Sequence, residues 1–289
     1  MAHEDELPPI YLDEVVGRAL AEDLSGGDLT SSACVDADAS AHAEAISRHR
    51  MVVCGGPVFA RALTLVDPSL AVEALAAEGT VVDEGAVIWR VRGRARSILS
   101  AERVALNFSQ RMSGIATAAH TYVAALTDGS PTRIADTRKT TPGLRLLERY
   151  AVRVGGAHNH RDNLGSAVMI KDNHIVAAGS ITEAIRRAKA RAPHTSRVEC
   201  EVTSLTELAE ATTAGADIVM LDNMDDATVE QALAQVGALS FRPIVEASGG
   251  ITLERVGSLS ALGVDVISVG ALTHSARAAD ISLEFRLDR

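Results

Sequence analysis

Cationic side chains are concentrated in one stretch of an otherwise acidic chain. Between Arg133 and Lys171 the sequence holds eight Lys or Arg and three Asp or Glu, a local charge of +5, whereas the 289 residues together carry −10. A basic island in an acidic protein predicts a site for a small anionic ligand and argues against a nucleic-acid partner. Arg145, Arg149 and Arg153 recur at helical spacing, so a solvated helix face explains these three equally well.

Carboxylates form a second group of candidates. Glu199 and Glu201 are two residues apart in a β-rich run, which places both on one face of a strand. Asp222 ends the next such run, so we expect it to lie near Glu201. Buried carboxylates need partners, and their oxygens beside a phosphorylated ligand suit Mg²⁺. Salt bridges to Lys139 and Lys171 are the alternative, and both arrangements hold if the metal arrives only with substrate.

Glycine-rich turns follow the last two β-rich runs, as "ASGGI" at 247–251 and "SVGALTH" at 268–274. Glycine permits the close backbone approach that a phosphate group requires. Either turn alone is weak evidence, but the two together on neighbouring strands predict a phosphate-binding site. His274, one turn after the second strand, suits either a phosphate contact or packing at the start of a helix.

Two further residue types leave alternatives open. Lys171 at a strand end is also a candidate Schiff-base nucleophile, so the residues alone permit an aldolase-like lyase. That chemistry leaves the arginines unexplained. His158 and His160 flank Asn159, but no third ligand stands at metal spacing, which disfavours zinc. His160 beside Arg161 is better interpreted as a donor to a carboxylate.

The elements that must position these groups alternate between strands and helices. Apolar, β-branched runs predict strands at 132–136, 167–170, 197–202, 217–221, 243–247 and 265–269. Helical patterns begin after Ser180 and Ser204, each followed three residues later by Glu, which is a capping box. This repetition predicts an α/β fold with a parallel sheet closed, or nearly closed, into a barrel. An open doubly wound sheet is the alternative.

The first half of the chain has a different pattern, with short strands punctuated by glycine and then a helical stretch from about Ser100 to Leu126. We expect an N-terminal α/β sandwich domain over residues 1–112. A barrel domain over 113–276 follows, and the tail at 277–289 joins the first domain.

Composition excludes several classes of protein. No apolar run approaches the roughly 18 residues of a membrane span, so we expect no membrane partner. Acidic residues near the N-terminus argue against a presequence. Cys34, Cys54 and Cys200 are widely spaced and odd in number, which predicts reduced thiols in a cytoplasmic protein.

Several segments carry a resemblance to a known family. They are "SAERVALNFSQRMSGIAT" (100–117), "DTRKTTPGLRLLERYAVRVGGAHNHR" (136–161), "MIKDNHI" (169–175), "ECEV" (199–202), "LDN" (221–223), "EASGGI" (246–251) and "VGALTHS" (269–275). In this order they resemble quinolinate phosphoribosyltransferase, also called nicotinate-nucleotide pyrophosphorylase (carboxylating). Two positions depart from the family's usual pattern, because Asn163 is often glycine there and Ser166 often aspartate.

The resemblance implies an incomplete, seven-stranded α/β barrel beside an N-terminal α/β sandwich domain. It implies an enzyme of NAD biosynthesis that transfers a phosphoribosyl group from phosphoribosyl pyrophosphate to quinolinate. The products are nicotinate mononucleotide, pyrophosphate and CO₂, and Mg²⁺ is the implied cofactor. It also implies a homodimer in which Arg103 reaches the partner's site.

The resemblance further implies which residues act. The implied substrate-binding residues are Arg103, Thr137, Arg138, Lys139, His160, Arg161, Lys171, Glu201, Asp222, Ser248, Gly249, Gly250, Val269, Gly270, Ala271 and His274. The implied catalytic residues are Lys139, Lys171, Glu201 and Asp222, and the last two are the implied metal ligands. A relative that uses nicotinate, with a single carboxylate, is one alternative. A non-catalytic paralogue that binds an anionic metabolite is another.

Overall fold

A computed structural model of the protein describes residues 7–288 and divides them into two compact units. Unit 1 contains the chain up to His120, Thr140–Gly156 and the residues from Leu272 onward, and unit 2 contains Thr121–Lys139 and Ala157–Ala271. The proposed domain boundary between residues 112 and 113, and the assignment of the tail, stay predictions. Residues 1–6 and 289 of those proposed domains lie outside the described residues.

Unit 1 is built on a four-stranded sheet with the strand order β12-β1-β5-β3. Its strands are β1 (Ser40–Ser47), β3 (Ala71–Ala74), β5 (Val87–Arg94) and β12 (Ile281–Leu287), while β2 (Met51–Val52) and β4 (Val81–Val82) form a separate ladder. β1 pairs antiparallel with both β5 and β12, so residues from the two ends of the chain share one sheet. Ala41, Ala43 and Ala45 of β1 are fully buried at every second position, as expected for a sheet with one face on the core.

Unit 1 contains α1 (Pro9–Leu24), α2 (Leu29–Cys34), α3 (Gly56–Val66), α5 (Arg145–Val154) and α4 (Ala95–Ala124) up to His120. The long helix expected from Ser100 onward is present as α4, which begins five residues earlier. Arg111 on α4 donates to the buried carboxylate of Glu148 on α5 through Nη2, at 2.8 Å. Burying Glu148 without a cation would be costly, so this pair fixes α5 against α4.

Unit 2 contains a six-stranded parallel sheet in the order β6-β11-β10-β9-β8-β7. The strands are β6 (Arg133–Ala135), β7 (Val168–Ile170), β8 (Val198–Val202), β9 (Ile218–Asp222), β10 (Ile244–Ser248) and β11 (Val266–Ser268). All six strands expected from the sequence are therefore present. An isolated parallel bridge between Ala135 and His158 adds a seventh position beside β6. This order is that of an incomplete, seven-stranded α/β barrel, which confirms the expected fold.

The remaining helices are α6 (Asp172–Ala178), α7 (Ile181–Arg191), α8 (Leu205–Thr213), α9 (Asp226–Gly237), α10 (Leu253–Leu262) and α11 (Ala271–His274). The expected caps are present, because Ser180 accepts the backbone N–H of Glu183 and Ser204 accepts that of Glu207. Within residues 7–288, the helices are all too short or too polar to cross a membrane.

Gly114 is the point of closest approach between α4 and the C-terminal segment of unit 1. A β-carbon there would collide with the carbonyl oxygen of Arg277, which belongs to the backbone and has little freedom to move. We expect Gly114→Ala to lower the free energy of unfolding by about 1–3 kcal/mol, the usual cost of overpacking. Urea denaturation followed by circular dichroism measures this change.

Gly17 provides the matched control, since it lies in the interior of α1 with no heavy atom within 4 Å of an added β-carbon. Gly17→Ala should raise the free energy of unfolding by up to about 1 kcal/mol, because alanine favours the helix. Equal effects of the two substitutions would contradict the proposed collision.

Candidate functional site

A cleft of about 570 Å³ opens at the carboxyl ends of the unit 2 strands. Parallel strands bring their carboxyl ends to the same edge, which explains why residues distant in sequence meet here. The sequence-predicted residues that line the cleft are Thr137, Arg138, Lys139, His160, Arg161, Lys171, Glu201, Asp222, Ser248, Gly249 and Gly250. The expected grouping of cations, carboxylates and glycines is therefore present within one unit.

One side of the cleft is cationic. Burial, and next the charge of Arg138, lower the pKa of Arg161 from its ordinary value. The Nε atom of Arg138 is buried and has no hydrogen-bond partner among residues 7–288. Buried donors without partners are rare in native proteins. Two crowded guanidinium groups with an unused donor provide a receptor for a planar anion such as a carboxylate.

Lys171 and Glu201 form an ion pair on the neighbouring strand ends. The Nζ of Lys171 donates to Oε2 of Glu201, which is the salt bridge that the sequence left as an alternative to metal binding. The backbone N–H of Lys171 donates to Nδ1 of His174 at 3.0 Å, at the start of α6. His174 therefore helps to position Lys171, a role for which the sequence analysis gave no signal.

The turn after β9 meets the glycine turn after β10. Asn223 has φ 54°, the left-handed region, and its backbone N–H donates to the carbonyl of Ser248 at 2.9 Å. Its side-chain amide donates to Oδ2 of Asp222 at 2.9 Å. A β-carbon at Gly249, which has φ 85°, would overlap the Asn223 carboxamide. Glycine is thus required here by both conformation and space.

The floor of the cleft carries a buried group of one histidine and two acids. Nε2 of His160 lies 3.3 Å from Glu199 and 3.5 Å from Glu246, and the three residues bring donor atoms within 4.8 Å of one another. Burial lowers the pKa of His160, whereas the hydrogen bonds from its Nε2 to the two acids act in the opposite direction and raise it. Burial also raises the pKa of Glu199.

The position of the ring hydrogen of His160 follows from its hydrogen bonds. The backbone N–H of Arg161 donates to Nδ1 of His160 at 2.7 Å, so Nδ1 must be unprotonated. The hydrogen of the neutral ring then lies on Nε2, which faces Glu199 and Glu246.

Some sequence-predicted residues lie elsewhere. Arg103 belongs to unit 1, where it is exposed beside a pocket of about 210 Å³ that also contains Glu22 and Asp23. His274 is exposed and also falls in unit 1, with Nδ1 at 2.7 Å from Ser275 Oγ. Val269, Gly270 and Ala271 follow β11 in unit 2, and the N–H of Val269 donates to Ala135 O at 2.9 Å.

Other residues of the site were given no role in the sequence analysis. They are Asp136, His174, Asn223, Glu246 and Ser268. For Glu246 a signal existed, because an acid in the middle of an apolar strand is unusual unless it has partners. For Asn223, which ends a predicted strand beside Asp222, the sequence gave no signal of the left-handed conformation, since the turn around it specifies that conformation.

An incomplete α/β barrel with cations, carboxylates and a Ser-Gly-Gly turn at its strand ends defines a barrel enzyme for anionic, phosphate-bearing substrates. Comparison of the sequence with models of protein families identifies one family within this class. The models for the C-terminal and N-terminal domains of quinolinate phosphoribosyl transferase match residues 115–284 and 28–113. The chain belongs to this family.

Individual relatives agree over nearly the whole length. The chain is 41% identical over 278 residues to the probable nicotinate-nucleotide pyrophosphorylase [carboxylating] of Bacillus subtilis, covering 96% of this chain and 94% of the relative. It is 42% identical over 279 residues to the human nicotinate-nucleotide pyrophosphorylase [carboxylating], with 96% and 93% covered. The crystal structure of NadC from Streptococcus pyogenes superposes with a TM-score of 0.93 at 41% identity, covering 98% of this chain and 99% of that one.

The contact between Gly249 and Asn223 yields a prediction for the turn. Gly249→Ala should suffer both the left-handed strain, about 1–2 kcal/mol, and the collision with Asn223. Gly250→Ala should suffer the strain alone, because its φ is 59° and the nearest atom to an added β-carbon is 3.8 Å away. We expect the first variant to lose at least about 1 kcal/mol more unfolding free energy than the second.

Chemical denaturation measures the stabilities, and calorimetry with pyrophosphate measures the turn's ligand affinity. The affinity should fall further for Gly249→Ala than for Gly250→Ala. Equal unfolding free energies and equal pyrophosphate affinities of the two variants would contradict the proposed effect of the overlap with Asn223.

Proposed function

We propose that this chain catalyses the joining of quinolinate to phosphoribosyl pyrophosphate, with release of pyrophosphate and CO₂ to give nicotinate mononucleotide in NAD biosynthesis. One observation carries the proposal: Arg138, Arg161 and Lys171 meet in one cleft beside Glu201 and Asp222. The relatives named nicotinate-nucleotide pyrophosphorylase [carboxylating] support it at 41–42% identity.

The cationic side of the cleft suits quinolinate, a pyridine with two adjacent carboxylates. The guanidinium fork of an arginine matches a carboxylate in two hydrogen bonds. Arg138 and Arg161 each supply a fork, and Lys171 supplies a third cation beside His160. Desolvating two negative charges is costly, and several cations offset that cost.

The opposite side suits phosphoribosyl pyrophosphate. Lys139 and the turn at 248–250 receive phosphate groups, and His274 and the segment 269–271 complete this set in the proposal. Glu201 and Asp222 are partly exposed carboxylates on neighbouring strands, a donor set that fits Mg²⁺. When bound there, Mg²⁺ would neutralise charge on the pyrophosphate.

The mechanism follows from these positions. The pyridine nitrogen forms a bond to the anomeric carbon of the ribose as the bond to pyrophosphate breaks. Glu201 and Asp222 stabilise the positive charge that develops on the sugar, and Lys139 stabilises the leaving pyrophosphate. The quaternised ring then accepts the electron pair of the breaking carbon–carboxylate bond as CO₂ leaves. Lys171 stabilises this ring carbanion until it is protonated.

We also propose a cytoplasmic homodimer in which Arg103 acts in the partner's cleft. Arg103 is exposed and belongs to the unit that does not contain the cationic cluster. Contribution of this arginine in trans is consistent with that placement. A closed symmetric dimer would complete both clefts in the same way.

The first test is release of labelled CO₂ from quinolinate that carries the label in its 2-carboxylate. We expect release only when protein, phosphoribosyl pyrophosphate and Mg²⁺ are all present, because decarboxylation needs the quaternised ring. Omission of each component in turn provides the controls. Consumption of nicotinate instead would support the alternative relative with one carboxylate. Binding of quinolinate without turnover of either substrate would support a non-catalytic paralogue.

Subunit mixing tests the proposed role of Arg103. The variants Arg103→Ala and Lys171→Ala should each be nearly inactive alone. In a hybrid dimer, one cleft regains both native residues if Arg103 acts in trans. Random mixing after reversible dissociation should then restore about a quarter of wild-type activity, since half of the dimers carry one intact site of two.

The controls are each variant taken alone through dissociation and reassociation. Recovery of no activity in the mixture, with hybrids verified by mass spectrometry, would place Arg103 in its own subunit's cleft or outside the site.

A further inference from the structure

Three buried carboxylates lie directly beneath a cleft that is proposed to bind anions. Asp136, Glu199 and Glu246 are 0–3% exposed, and the proposed binding and catalysis assign a role to none of them. Burying carboxylates at an anion site opposes binding unless each one holds a donor in place. The hydrogen bonds of these three carboxylates therefore indicate which donors each one holds in place.

Asp136 holds the chain segment that precedes Arg161. Its Oδ1 accepts the backbone N–H of His160 at 2.7 Å, and its Oδ2 accepts the side-chain amide of Asn159 at 2.6 Å. Both donors belong to the segment beside β6. Asp136 thus fixes the backbone of this segment where it leaves the barrel.

The ring of His160 is fixed by different partners. Nδ1 accepts the backbone N–H of Arg161 at 2.7 Å, so the hydrogen of the ring lies on Nε2. Nε2 points to Glu199 at 3.3 Å and Glu246 at 3.5 Å. Both nitrogens are thus engaged by protein groups, and the residue also lines the cleft. The hydrogen bond accepted by Nδ1 of His160 positions the main chain of Arg161.

Glu246 is the better anchored of the two acids. Its Oε1 accepts the hydroxyl of Ser268 on β11 at 2.5 Å, while its Oε2 faces His160. Glu199 has an Oε1 that is buried without a hydrogen-bond partner among the described residues. Glu246 therefore connects β10 and β11 to the His160 ring, and the ring passes that constraint to the main chain of Arg161.

We infer that Glu246 is a positioning residue for quinolinate binding: by orienting His160 in its Nε2–H form, it holds the main chain of Arg161 where the guanidinium can receive a substrate carboxylate. The side chain of Arg161 is anchored at its other end, where Nη1 donates to Ala167 O at 3.1 Å. This inference rests on the proposed function, because it assigns Arg161 to quinolinate.

The kinetic test compares Glu246→Ala with Glu246→Gln, which keeps one acceptor oxygen. Loss of the anchor should raise the KM for quinolinate about tenfold, as for loss of one charge-assisted hydrogen bond. The KM for phosphoribosyl pyrophosphate should stay within about twofold. Glu246→Gln should recover part of the loss. Glu230→Ala, an exposed site on α9, is the matched control and should behave as wild type.

A structural readout without substrate accompanies the kinetics. In protein labelled with ¹⁵N-histidine, NMR should show His160 with an unprotonated Nδ1 and a protonated Nε2, and His160→Gln assigns the signals. Glu246→Ala should change this pattern. Because no substrate is present, the result is independent of whether quinolinate is the true substrate, which the CO₂ assay decides separately.

The inference fails if wild-type His160 carries a proton on Nδ1, or if Glu246→Ala leaves the quinolinate KM unchanged. It also fails if Glu246→Ala raises both KM values equally. Should Glu246→Ala not fold, Ser268→Ala takes its place, since it removes only the donor to Glu246 Oε1 and should raise the quinolinate KM by a smaller factor.

Discussion

The site depends on holding two guanidinium groups close together where they are partly shielded from water. Arg138 and Arg161 repel each other, and burial weakens the hydration that would otherwise stabilise both charges. Glu199, a buried acid near them, offsets part of this repulsion, because its charge raises the pKa of Arg161. The two cations are thereby held together, while the Nε donor of Arg138 has no hydrogen-bond partner among the described residues.

The parallel barrel makes this arrangement possible. Each strand places one or two side chains at the common edge, and strand pairing sets how far apart they lie. Lys171, Glu201 and Asp222 come from three neighbouring strands, β7, β8 and β9. Glu199 and Glu246 lie two residues before Glu201 and Ser248 on the same strands, so buried acids form a layer beneath the cations and carboxylates that line the cleft. The residues that line the cleft and the buried acids beneath them therefore belong to the same parallel sheet.

Local signals in the sequence were sufficient to predict many of the secondary-structure elements and several of the candidate site residues. The strands were predicted because runs buried on both faces must be apolar and β-branched. The caps of α7 and α8 were predicted because Ser180 and Ser204 precede Glu at the required spacing. The cation-rich stretch and the glycine turns also follow from residue type, since few other residues can meet an anion or approach a phosphate. The resemblance of the quoted segments to quinolinate phosphoribosyltransferase then indicated the family.

What only the tertiary structure decided is which side chains meet across strands. Glu246, on β10, contacts His160, which follows a different part of the chain, and no local pattern encodes that pairing. The left-handed Asn223 is specified by its contact with the turn at Gly249. Arg103 was placed in a different unit from the cationic cluster by the course of the chain. Residue type and periodicity are properties of the sequence, but partners depend on register and on the path of the backbone, which exist only after folding.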